Sequence, residues 1–502
     1  MKYRHDRKGN RIPDFSYAGY RGGGVALPHV RTERTVRPQP GDDTRRIQDA
    51  IDEVSRLPLD ADGFRGAVLL ERGRYQIRDN LVIRNSGVVL RGEGSDDNGT
   101  VLVATGNDKR PLIKISGDGG SRAIDGTKSR ISERYVPVGA RRFRVSDASR
   151  YRIGHRIAVV RPGTQQWIDR VGGDSCISKG TKYDDSDRLG YTCLPDPWKP
   201  SKWDLIFERT IVAIDGDQIT IDSPVMQEID EDFGGGWIER VRSNRIEQVG
   251  VEHLRGMSEP NLSQKCTDAI QEPTPFSCDE DHAESMVAME QVEDAWVRDV
   301  TALHFWWHAY QVNGGSRQIT FDRIKYLEPV SKLEGGRRYG VQVERSERVL
   351  VHQMKTDRAR HSFALGPKAS NTVFLDCEAD HSYHESGPHS DWATATLFDN
   401  VRDSTAINIR NFVKPWSWHA AQIDSDHGWT GANSVVWNSR ADWIVVMDPP
   451  TASNWVIGSS ADHFEGGGVF DSKRDAVNPK SLYLRQLEER LGSCAVEAVV
   501  GP

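Results

Sequence analysis

GDDTRRIQDAIDEVSRL, residues 41–57, decides the fold together with the segments that follow it closely: AVLLERGRYQI (67–77), NLVIRNSGVVLRGEG (80–94) and TVLVAT (100–105). Ile47, Ile51 and Val54 recur at helical spacing and give the first segment one apolar face, with Asp43 or Thr44 placed to cap its start. The later segments are short, apolar and separated by glycine and asparagine, as strands joined by turns. One helix leading into a run of short strands suits the end of a solenoid, whose terminal coil exposes its core unless something covers it.

In this order and spacing, the helix, GRYQI and GVVLRGEG resemble the entry of the right-handed parallel β-helix enzymes with the pectate-lyase-like fold. The resemblance implies an all-β chain: a right-handed single-stranded parallel β-helix with an N-terminal capping helix. RFRVSDASRYRIGHRIAVVRPG (142–163) and LIFERTIVAIDGDQITIDSPV (205–225) read differently, as antiparallel strands with a tight turn at Asp215-Gly216. In PKSLYLRQLEERLG (479–492), Leu482, Leu484, Leu487 and Leu491 lie near helical spacing before a glycine stop. The expected organisation is cap and first rungs at 1–130, a small inserted antiparallel β subdomain at 131–228, the main coil at 229–480, and a C-terminal helix and tail at 481–502.

Repeats of about 20–35 residues are the mark of a solenoid. One set of strands is AWVRDV (295–300), QITFDRI (318–324), RVLVHQM (348–354), TVFLDCE (372–378), AINIRNF (406–412), SVVWNSR (434–440) and NWVIGSS (454–460). Aligned on Val297, Phe321, Val351 and Leu375, they place Arg298, Asp322, His352 and Asp376 in an outward column. A second set is HAYQV (308–312), YGVQV (339–343), HSFAL (361–365), ATATL (393–397), HAAQI (419–423) and DWIVV (442–446). Its first residues are His308, Tyr339, His361, Ala393, His419 and Asp442, stacked at about 4.8 Å per rung.

The loops that enter this second set carry Trp306, Trp307, Trp392, Trp416 and Trp418, the cations Lys355, Arg358 and Arg360, and the histidines His381, His384 and His389. Any one of these tryptophans reads equally as cover for the coil, and any one histidine as a structural donor. Arg358 and Arg360 read equally as solvated partners of Asp357 or Asp376. Their arrival from one corner of consecutive turns points to a carbohydrate-binding groove, since function gathers on loops held by a rigid scaffold. Substrate contacts are expected from Lys355, Trp307, His384, Asp391, Trp392, Trp416 and Trp418.

For the reaction, a lyase acting on a uronate polymer must neutralise the carboxylate, remove the adjacent proton and protonate the departing oxygen. His361 and Tyr339, flanked by Lys355, Arg358 and Arg360, match those needs, with His308, His389 and His419 in reserve. Asp376, Asp380, Glu385, Asp391 and Asp424 are the carboxylates a hydrolase would draw on. The polygalacturonase-type hydrolases of this fold carry NTD, DD, GHG and RIK in order; here RIK (323–325) precedes DHG (426–428) and NTD is absent, which disfavours that subgroup. An intramolecular glycosyl transferase and a non-catalytic glycan-binding coil are the remaining readings.

No cofactor is required by this chemistry. Asp376, Glu378 and Asp380 alternate along one strand and could hold calcium, as some related lyases do, or form an acidic ladder neutralised by Arg410 and other basic residues. SGPHSDWATATLFDNV (386–401) and SLYLRQLEERLG (481–492) resemble blocks from one branch of these proteins, whose version of the first reads PHHRWATG; Ser390-Asp391 departs from it.

The chain has 502 residues and a net charge of −7 with both signs interspersed, so no basic field points to nucleic acid. No apolar run reaches the roughly 18–20 residues that span a bilayer, and MKYRHDRKGNRIPDF at the start does not read as a signal peptide. Cys176 with Cys193 and Cys266 with Cys278 read as two local disulfides or as four reduced loop cysteines. Disulfides would imply an oxidising compartment, and a secreted or periplasmic location is expected. Cys377, in a strand pattern, reads as core filler.

Overall fold

The computed structural model describes residues 1, 3–172, 198–269, 271–411 and 428–501. Cys176, Cys193, Trp416, Trp418, His419 and Asp424 lie outside the described residues.

The chain forms a right-handed parallel β-helix. In its middle, each turn supplies three strands to three walls. One turn consists of Glu347–His352, Lys355–Asp357 and His361–Leu365; the next consists of Ser370–Leu375, Glu378–Asp380 and Gly387–Pro388. Corresponding strands pair in parallel from turn to turn. Inward side chains such as Tyr310, Val341, Phe363, Phe374 and Phe398 join a continuous core. Phe374 stacks on Phe398 with ring centroids 5.3 Å apart, the spacing that successive rungs impose.

The helix Thr44–Ser55 closes one end, and Ile47, Ile51 and Val54 are buried in that same core. Asp43 is its N-cap residue, but its side chain makes no capping bond; Asp42 instead accepts the Thr44 N–H at 3.0 Å. At the other end of the chain, Ser481 caps the helix Leu482–Leu491. Leu482, Tyr483 and Leu487 pack on the outside of the coil, whereas Leu491 is exposed.

The antiparallel strands lie between Ser121 and Ser243, wider than the 131–228 read from sequence: the three-residue Ser121–Ala123 is too short to show a period, and Trp237–Ser243 joins the sheet by pairing with it and with Arg156–Arg161. Their core merges with the outer face of the first wall through Leu350, Val373, Leu375 and Leu397. Ion pairs, the first buried and the others half-buried, reinforce the joint: Arg209 with Glu347 at 2.8 Å, Arg348 with Asp222 at 3.1 Å, and Arg156 with Glu293 at 2.7 Å.

Three register assignments change. Val351 pairs with Phe374, so Leu375, rather than Asp376, follows His352 in the outward column. The reason is the insertion: it makes this outward face apolar, so alternation no longer separates inside from outside. Ala393–Asp399 pairs with Ser370–Leu375 and belongs to the first wall. The second-set strand of that turn is the two-residue Gly387–Pro388, too short to show a period. Ala406–Ile409 in turn pairs with the second-set strand Arg440–Val446, so AINIRNF leaves the first set.

Cys266 and Cys278 form a disulfide across a hairpin, and Cys377 is buried. Among the described residues, no helix is long and apolar enough to cross a membrane.

Candidate functional site

His308, Tyr339 and His361 are the first residues of three successive parallel strands and occupy one register row: His308 pairs with Tyr339, and Tyr339 with His361. Their rings follow the ladder, with centroids 4.8 Å and 4.7 Å apart. Trp307 stacks on His308 at 3.9 Å and extends the pile by one ring. On the next turn, the loop before and after Gly387–Pro388 brings His384 to 5.3 Å and His389 to 4.5 Å from the His361 ring. The His389 ring also lies 5.7 Å from Tyr339.

The column is covered. His308, Tyr339 and His361 are 5%, 4% and 1% exposed, and the half-buried Trp307 and His389 form its edge. Burial then sets the protonation. The His308 imidazole is pushed down to about 3, with desolvation as the cause. His361 is held well below the usual histidine range by burial first, and then by Arg360 and His389. His361 Nδ1 lies 2.8 Å from the Glu385 carbonyl oxygen, which can only accept. That contact places the proton on Nδ1 and the lone pair on Nε2. Nε2 has no hydrogen-bond partner among the described residues.

Two buried carboxyls stand beyond His361, Glu385 on the next turn and Asp403 on the one after it. Glu385 is opposed by burial, but its contact with His384 Nδ1 (3.6 Å) and the charge of Arg410 hold it well below the carboxylate range. Asp403, absent from the sequence reading, is raised to about 7 by burial, although the Ser386 hydroxyl donates to it at 2.6 Å. Nothing in its local sequence, VRDST, distinguishes it from a turn aspartate.

The remaining candidates separate from the column. Lys355 stands on the second wall, exposed, and pairs with Glu378 at 3.0 Å. Arg358 sits at an exposed corner beside Asp357. Arg360 is buried and donates to the Gly335 carbonyl. The three cations therefore do not converge, because consecutive corner residues diverge from the chain. Trp392 is the largest correction: it is fully buried on the opposite side, against Trp167 and Trp198 of the insertion, and donates to Gln227 at 3.0 Å. It precedes a first-wall strand, so it faces away from the groove assigned to it. Asp391 lies on the same stretch, its carbonyl accepting the Lys368 N–H. Of the acidic ladder, Glu378 is engaged by Lys355 and Arg402, and Asp380 by Arg402.

The burial of His308 has a consequence for stability. Below about pH 6.5 the unfolded chain takes up a proton that the folded chain refuses until about pH 3. Its contribution is therefore complete above pH 6.5 and is lost as the pH falls towards 3, by about 5 kcal/mol over the whole window. Urea midpoints measured from pH 7 to pH 4 should fall more steeply for the parent chain than for His308→Asn. Equal slopes would contradict the assignment.

No protein-family model matches the chain, and no curated protein matches it. Among solved structures, the tailspike gp61 of Pseudomonas phage phi297 has a TM-score of 0.46 and 12% identity, covering 86% of this chain and 60% of that one. The catalytic domain of a GH87 alpha-1,3-glucanase, in complex with nigerose, has a TM-score of 0.42 and 9% identity, covering 91% and 69%. An alginate lyase from Paenibacillus sp. str. FPU-7 has a TM-score of 0.38 and 7% identity, covering 89% and 97%. This chain thus spans about 60% of the length of the phage tailspike. The likeness concerns the coil and decides nothing about chemistry.

Proposed function

We propose that the protein is a glycan-active enzyme that cleaves a uronate-containing polysaccharide by β-elimination. The observation that carries this reading is the single register row of His308, Tyr339 and His361, joined by His384 and His389 from the next turn. Elimination moves one proton off the carbon beside the carboxylate and one proton onto the leaving oxygen, while the carbon–oxygen bond breaks and a double bond forms. Burial keeps the histidines neutral, each with a ring lone pair that can accept a proton. Tyr339, between them, carries a hydroxyl that can give a proton. Trp307 and His389, at the half-buried edge, are where a sugar chain meets the column.

The disulfide between Cys266 and Cys278 favours an oxidising, extracytoplasmic location. The test is incubation with a panel of acidic glycans while following the ultraviolet absorbance of the new double bond. Growth of that absorbance is expected on at least one uronate polymer. New reducing ends without it would instead assign hydrolysis.

One observation favours a second reading, a non-catalytic glycan-binding coil: the three column residues are nearly covered. That reading requires glycan binding with no product, unchanged in Tyr339→Phe.

A further inference from the structure

His361, Glu385 and His389 each offer a ligand atom, and these atoms lie within 4.8 Å of one another; no other such group of three occurs among the described residues. We propose that these three side chains bind one divalent first-row transition-metal ion of the zinc class. The proposal deepens the reading of this same site, and rests on it for the ion's role but not for its binding.

Three features point to a metal. The His361 ring is held as histidine ligands are, with one nitrogen, Nδ1, bonded to a backbone carbonyl, here that of Glu385. Its other nitrogen, Nε2, is buried and has no hydrogen-bond partner among the described residues, which a coordinate bond would correct. The third feature is the donor set itself: two imidazoles and one carboxylate suit zinc and its neighbours, whereas calcium prefers oxygen alone.

The backbone fixes the arrangement. His361 opens its strand, and the His389 N–H bonds the Leu365 carbonyl at the end of that same strand. Glu385 precedes Gly387–Pro388, which pairs with Ala364 and Leu365. Donors around a tetrahedral zinc ion stand about 3.4 Å apart, given bonds of about 2.1 Å. The half-buried His389 is the side chain with room to complete that closure.

Three protein ligands leave an open position, the arrangement of a catalytic rather than a structural ion. That position would take the carboxylate oxygen of a uronate. It would supply the positive charge that Lys355, Arg358 and Arg360 do not bring to the column, and it would leave Tyr339 and His308 to move protons.

The test is zinc titration of the chelator-stripped full chain against a chromophoric indicator, with thermal midpoints recorded with and without zinc. One ion per chain is expected, with a raised midpoint for the parent. His361→Gln, Glu385→Gln and His389→Gln should each weaken zinc at least about tenfold. His381→Asn, which alters an exposed histidine paired with Asp357, should bind as the parent does. If His361→Gln does not fold, the half-buried His389→Gln decides. No saturable zinc binding, or parent-like affinity in His389→Gln, overturns the proposal. Zinc binding by a chain that cleaves no glycan supports this site while sinking the activity; cleavage by a chain that binds no zinc does the reverse.

Discussion

Replacing Tyr339 with phenylalanine is expected to lower turnover of the uronate glycan by about 10²–10⁴-fold, the usual worth of a positioned acid or base. The change removes one oxygen and keeps the ring. The contacts with His308 at 4.8 Å, His361 at 4.7 Å and His389 at 5.7 Å therefore survive. Loss of one buried hydroxyl from a fold of this size should cost only about 1 kcal/mol of stability. A large kinetic loss with a nearly unchanged denaturation midpoint would place the hydroxyl in the reaction. An equal fall in both would make Tyr339 a spacer in a stack.

Trp392→Ala is expected to do the opposite, lowering stability by about 3–5 kcal/mol, the cost of emptying a large buried aromatic site. Trp392 lies 4.9 Å from the Trp167 ring and 6.2 Å from Trp198, and its Nε1–H reaches Gln227 at 3.0 Å. All three partners belong to the insertion, so the loss loosens its seat on the coil. The urea midpoint should fall while glycan binding by the remaining folded protein is unaltered. A stable variant with weakened binding would return Trp392 to the groove.

The two tryptophans Trp307 and Trp392 show where sequence reading succeeds and where it stops. Trp307 precedes HAYQV, and the alternation of Tyr310 and Val312 with Ala309 and Gln311 located that strand. The parallel ladder then carried the register to Tyr339 and His361. The capping helix was legible for a similar reason, its apolar face recurring at helical spacing, whereas the Cys266–Cys278 bridge was only one of two readings and its hairpin left no pattern in the sequence. Trp392 precedes ATATLFD, which is buried on both faces, so alternation could not say which wall it joins. The cover was the insertion, whose contact with the first wall is non-local and leaves no periodic trace.

The same limit hid the charge of the site. KTDRARH brings Lys355, Arg358 and Arg360 together in sequence, but the turn from the second to the third wall points them towards Glu378, the exposed corner and Gly335. What converges instead comes from two different turns: His361 from one, Glu385 and His389 from the next. Only the fold brings them into one place.

The most direct measurement is a crystal structure of Tyr339→Phe with an acidic oligosaccharide from the cleaved polymer. The account predicts a uronate residue against Trp307 and His389, with its glycosidic oxygen within hydrogen-bond reach of the place the tyrosine hydroxyl occupied. A sugar bound along another wall, with the His308–His361 row still sealed, would contradict it.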